Sequence, residues 1–135
     1  MPESWTVASA NAALPEVRRL LGLARASGSR LRDLQAHLND LRIVHGDQVL
    51  SPAGTGYSEF AVLLATFQAE RENYLALVAD FGRLGVELKD VEQGLVDFRG
   101  KVGLRDAFLC WREGEAAVTH WHELESGFAG RRPIA

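Results

Sequence analysis

Residues 110 to 133 read CWREGEAAVTHWHELESGFAGRRP and hold the only cysteine, two of the three tryptophans and two of the four histidines. His120 and His122 stand two apart. On a strand, alternate side chains share a face, so both imidazoles would point the same way, with Val118. Such a pair can present two nitrogens to one divalent ion of the zinc class, with Cys110, Asp97, Glu115 or Glu123 as a third ligand. The metal set expected on this basis is His120, His122 and Cys110. Neither a second cysteine nor a His-Glu-x-x-His spacing accompanies it. Register decides its geometry. If Gly114-Glu115 forms a two-residue turn, Cys110 pairs with Thr119 and lies opposite the histidines; a one-residue bulge brings it to their side.

Other residues in this part of the chain suit binding. Asp97 lies in LVDF, a segment otherwise apolar, so its carboxylate is either solvent-facing or buried with a partner; Arg105 or Arg112 is the expected partner. Arg131-Arg132, within GFAGRRP, offers guanidinium forks suited to carboxylate or phosphate. Together with Trp121, His122 and Glu123 they suggest a pocket for a small anionic ligand. The expected binding set is His122, Glu123, Arg131, Trp121 and Asp97, with His122, Glu123 and Arg131 as a polar rim. Trp111 and Trp121 repay burial and are expected to be structural. Cys110 has no glycine-rich oxyanion arrangement beside it and is expected to pack as a small apolar side chain. Gly54-Thr55-Gly56 lacks the following lysine of a phosphate loop.

The elements that must position these groups follow from periodicity. Thr6 can cap a short helix over Val7–Ala13, and Pro15 suits the first turn of a new one. Val17, Leu21, Ala24, Gly28 and Leu31, then Leu34, Leu38, Leu41 and His45, step by threes and fours as a packed stripe does. Residues 45–56 collect Gly, Pro and Asp and read as a loop. A second stripe runs Phe60, Leu64, Phe67, Arg71, Tyr74, Val78 and Phe81, ending at Gly85 as a left-handed terminator. Arg71 interrupts that stripe, and Asp33 or Asp40 is its expected partner. Beyond Gly85 the period changes to two in VELKD, GLVDF, DAFLCWR and AVTHWHE. The fold class expected is α+β: a long antiparallel helical hairpin followed by a small antiparallel β-meander of three or four strands. We read one domain over 1–135, with the hairpin at about 15–84, the sheet at about 86–124 and a tail at 125–135.

Composition narrows the function classes. The chain has 135 residues, 47% hydrophobic and 24% charged, which is ordinary for a globular domain. A net charge of −3 gives no general attraction to nucleic acid, and acidic residues dilute the basic face of Arg18, Arg19, Arg25, Arg30 and Arg32. No apolar run is long enough to span a membrane, and no secretory leader is visible. A single cysteine makes no internal disulfide, which suits a cytoplasmic location.

GLVDF, LCWREGE, WHE and GFAGRRP together, with WTVASANAALPEV at the start, resemble a bacterial family known as domain of unknown function 2203. The resemblance covers nearly the whole chain and implies no activity. His122 and Glu123 match its motif, whereas His120 departs from it, where an aromatic often stands.

The expected function is a binding or interaction module whose recognition surface is the C-terminal sheet. The alternative is a small metal-dependent, hydrolase-like enzyme using His120, His122 and an acidic partner. Helices of about 28 residues are roughly 42 Å long, against about 36 Å for the equivalent sphere of a compact chain this size. A homodimer through the helical hairpin is therefore expected.

Overall fold

A computed structural model describes residues 4–134. Helices α1 (Val7–His45) and α2 (Tyr57–Leu84) form a hairpin and are followed by strands β1 (Glu87–Asp90), β2 (Leu95–Val102), β3 (Arg105–Arg112), β4 (His120–His122) and β5 (Arg132–Pro133). The strands make one antiparallel sheet in the order β1-β2-β3-β4-β5. The class is α+β, as expected. The fifth strand comes from the segment expected to be a tail.

Local chemistry explains the helix ends. The Ser9 N–H donates to Thr6 Oγ1 at 3.0 Å and the Thr6 N–H donates to Ser9 Oγ at 2.9 Å, a reciprocal cap. The break expected at Pro15 does not occur, and α1 runs through it. A proline inside a helix costs about 3 kcal/mol. Leu14, Val17, Leu20 and Leu21 around it are all buried, and each contributes about 1.5–3 kcal/mol by leaving water. Burial wins. At the end of α2, Gly85 takes φ 88°, its N–H donates to Gly82 O, and the Val86 N–H donates to Phe81 O. This is the expected left-handed stop.

The chain divides into two compact units. Residues 24–76 form one. Its α1 stripe holds Ala24, Ser27, Leu31, Leu34 and Leu38, and Gly28 lets the Tyr74 ring approach to 3.4 Å of where a Cβ would stand. On α2 the stripe runs Phe60, Leu63, Phe67, Glu70 and Tyr74. Leu64 and Arg71 are exposed. The polar interruption is therefore Glu70, and its cation is Arg30, at 2.5 Å, rather than the expected Arg71 with Asp33 or Asp40. Ser27 Oγ donates to the same carboxylate at 2.6 Å and Asn73 Nδ2 at 2.9 Å.

The flanking segments, up to residue 23 and from 77 onward, form the other unit. Its core joins Trp5, Ala10, Leu14, Val17, Leu20, Leu21 and Phe81 to one face of the sheet, where Val96, Phe98, Leu109 and Trp111 point. The Trp5 N–H donates to Arg99 O, bringing the Trp5 carbonyl so close to Gly100 that a Cβ there would lie 2.2 Å away. Trp5 Nε1 also donates to Gly85 O at 2.9 Å. The opposite face carries Asp97, Phe108, Cys110 and His122, all buried.

Candidate functional site

Register builds the site. β2 and β3 set Asp97 opposite Cys110, while β3 and β4 set Cys110 opposite His120 and Phe108 opposite His122. Directly opposed residues share a face. Asp97, Cys110, His120 and His122 thus lie on one side, and the two-residue turn that would separate Cys110 from the histidines is absent. Its absence has a local cause. Glu115 folds back, accepting the Arg112 N–H on its carboxylate at 2.8 Å and the Trp111 indole N–H on its carbonyl at 3.0 Å. Residues 113–119 therefore make a wider loop. Strand alternation does not extend to Val118, which turns into the helix-facing core while its N–H donates to Asn11 Oδ1.

At the centre, His122 Nε2 lies 2.9 Å from Asp97 Oδ2, and both side chains are within a few per cent of complete burial. The partner of Asp97 is His122, not Arg105 or Arg112. His122 Nδ1 lies 2.8 Å from the Glu123 carbonyl, which can only accept, so Nδ1 carries a proton. Nε2 and Asp97 then share one further proton, as imidazolium with carboxylate or imidazole with carboxylic acid. The pair is neutral either way. Burial pushes the Asp97 carboxyl above its usual range, although His122 and the Cys110 thiol both favour its ionised form. Burial, followed by the neighbouring Asp97 charge, pushes the Cys110 thiol up to about 12. Cys110 is a thiol in this setting, not a nucleophilic thiolate. One ligand atom each from Asp97, Cys110 and His122 lie within 4.8 Å of one another.

Asp97 and His122, but not Cys110, line a cavity of about 220 Å³ together with Lys89, Leu95, Phe108, Leu124, Ser126 and Phe128. Its walls come partly from the segment expected to be a tail, which has a short 3-10 turn at Phe128–Gly130. Lys89 Nζ sits 5.6 Å from the Phe108 ring centroid and 3.0 Å from Glu87 Oε1. Lys89 was not singled out in the sequence. The period-two pattern of β1 places it, with Glu87, opposite the inward Leu88, a signal too short to stand out.

The other expected residues are dispersed. His120 Nδ1 contacts Thr119 Oγ1 at 2.9 Å and lies 3.8 Å from Glu115, so it stands outside the Asp97–Cys110–His122 cluster. Arg131 is not on the cavity rim. It clamps both oxygens of Glu115 at 2.9 Å and lies over the Phe128 ring at 4.6 Å. Burial would raise the Glu115 carboxyl, but Arg131 and the Arg112 N–H hold it below its usual range. Glu123 is bound to Arg105 at 2.7 Å, and only its carbonyl serves the site. Trp121 packs against the helix-facing core with the Arg132 guanidinium over its ring. Trp111 is fully buried, whereas Trp121 is half-buried.

The profile of the family described as an uncharacterized conserved protein, DUF2203, matches residues 3–134. The chain belongs to that family. No curated protein and no solved structure matches it. The family's description assigns no activity, so the chemistry of the cluster must carry the functional reading.

Proposed function

We propose that this DUF2203 protein is a small-ligand binding module whose recognition site is the cavity lined by Asp97 and His122. One observation carries the reading: a hydrogen-bonded Asp–His pair, almost wholly buried, opens onto a cavity instead of being sealed in the core. Buried ionisable groups with a shifted carboxyl that line a cleft are candidates for a functional site. The pair is neutral as a unit, so the charge among the lining residues is that of Lys89, which would exchange its exposed Glu87 partner for an anionic ligand. Phe108, Phe128, Leu95 and Leu124 supply apolar walls. The ligand that fits is small, with an apolar body and an anionic group.

Amide NMR titration with benzoate, phenylphosphate and acetate tests this reading. Benzoate or phenylphosphate should shift Lys89, Leu95, Leu124 and Ser126, with binding weakened about tenfold by Lys89→Ala, the loss of about one charge-assisted contact. If none of the probes moves these amides, the cavity is not an anion-binding site.

We infer further that the protein acts as a homodimer through residues 24–76. Ile43, Val44, Leu50 and Val62 are all more than half exposed there, and an apolar cleft of about 260 Å³ lies between Val49, Tyr57, Phe60 and Leu64. Exposed apolar side chains and an apolar cleft in the same unit suit an interaction face, and a two-fold pairing would cover it on both copies. Light scattering should give twice 14.8 kDa, and Val62→Asp should return the monomer. Among the described residues, no helix is long and apolar enough to cross a membrane. A buried, protonated single cysteine suits a reducing cytoplasm.

A further inference from the structure

We propose that a carboxylate oxygen of Asp97, Sγ of Cys110 and Nε2 of His122 form a three-ligand site for a divalent ion of the zinc class. Its fourth position would open into the cavity, where the ligand's anionic group would take it. The proposal rests on the cavity being the binding site and deepens that reading.

Four features converge. The donor set joins one carboxylate, one sulfur and one imidazole, a mixture suited to zinc and poorly suited to magnesium or calcium, which take oxygen ligands. The three donor atoms come from three adjacent strands and already lie within 4.8 Å of one another. Tetrahedral bonds of about 2.0–2.3 Å set donor atoms about 3.3–3.6 Å apart. The 2.9 Å contact between His122 and Asp97 therefore needs to widen by only a few tenths of an ångström. His122 is also held as metal-bound histidines are: Nδ1–H donates to the Glu123 carbonyl, fixing the ring and directing Nε2 at the cluster. Finally, a thiolate and a carboxylate bring two negative charges, which a divalent ion neutralises, so the buried site stays free of net charge. Three protein ligands with a cavity at the fourth position is the arrangement of an open, ligand-exchanging site rather than a closed structural one.

Cobalt(II) titration of chelator-treated, untagged protein tests this directly. Wild-type protein should take up about one equivalent and show visible bands of a tetrahedral ion together with a thiolate-to-cobalt charge-transfer band in the near ultraviolet. Cys110→Ser should remove the charge-transfer band, His122→Gln should weaken binding more than about a hundredfold, and His120→Gln should change it less than about threefold. The charge-transfer band belongs to the wild-type protein, so it decides the matter even if a variant fails to fold. Its absence at excess cobalt overturns the metal site, as does equal loss of binding in His120→Gln and His122→Gln. Benzoate and phenylphosphate titrations of the metal-free protein separate the two ideas. If they bind where cobalt does not, the binding module stands without its metal; if neither binds, both readings fall.

Discussion

Two carboxylates sit among apolar side chains in this protein, and their surroundings shift them in opposite directions. In the 24–76 unit, Glu70 receives Arg30, Ser27 and Asn73, and these donors lower its pKa to about 2. In the sheet unit, Asp97 has a histidine and a thiol but no arginine, and burial pushes it up. The Glu70 carboxylate is saturated by three donors, one of them a guanidinium, although it too borders an open cleft of about 300 Å³ with Asp33 and His37. The Asp97 cluster keeps a thiol protonated to about pH 12 and shares a single proton with His122 at the floor of a cavity. A carboxylate held ionised by an arginine and two further donors suits a structural device. A carboxyl pushed up by burial, with a titratable histidine as its partner, suits a site.

Stability should separate the two clusters most strongly. His122→Ala leaves the Asp97 carboxylate buried without its partner and should destabilise by about 3–5 kcal/mol in urea unfolding at neutral pH. Glu70→Ala removes the acceptor of the buried Ser27 hydroxyl and should cost about 1–3 kcal/mol, less because Arg30 remains half-exposed to water. Equal losses would erase the distinction between the two clusters.

The pH dependence should differ in sign. The folded pKa of Glu70 lies below its ordinary 4.5, so its contribution is present above 4.5 and is lost as pH falls towards about 2. Glu70→Gln should flatten that acid limb. The folded pKa of Asp97 lies above its ordinary 3.8, so the folded state keeps a proton the unfolded chain has released, and stability falls as pH rises through the folded value. Asp97→Asn should remove that fall. A metal-binding profile should sharpen the contrast further: ion and proton compete for Cys110, so affinity should rise with pH below about 12, and less steeply in Cys110→Ser. The smallest effect belongs to His120→Gln, expected within about 0.5 kcal/mol because its contacts are half-exposed.

Much of this was legible in the sequence because it is local or periodic. The stripe from Val17 to Leu38, the Thr6 cap, the Gly85 stop and the switch to period two all appear as residue spacing. The exceptions are tertiary. Pro15 remains helical because the core holds Leu14, Val17, Leu20 and Leu21. Glu70 replaces Arg71 in the stripe because a run of threes and fours fits two neighbouring phases almost equally. In the site, Cys110 and His122 were identified, and Asp97 was placed among their possible co-ligands. The face they share hangs on a one-residue register choice, which the Glu115 contacts to Arg112 and Trp111 decide. Arg131 looked like a free anion fork because nothing in the sequence reveals that Glu115 already occupies it.

On the function proposed above, the Asp97–His122 pair is kept for binding and the Glu70–Arg30 pair for architecture. Thermal unfolding of two double variants, Asp97→Val/His122→Leu and Glu70→Leu/Arg30→Leu, tests it most directly. Replacing a buried ionisable pair by well-packed apolar side chains of similar size is often neutral or stabilising. The first variant should therefore keep or raise its melting temperature while losing cobalt and benzoate binding, and the second should melt lower with both kinds of binding intact. A fall in the first variant as large as a core truncation, about 2–5 kcal/mol, would contradict the account and make the cluster a structural part of the sheet.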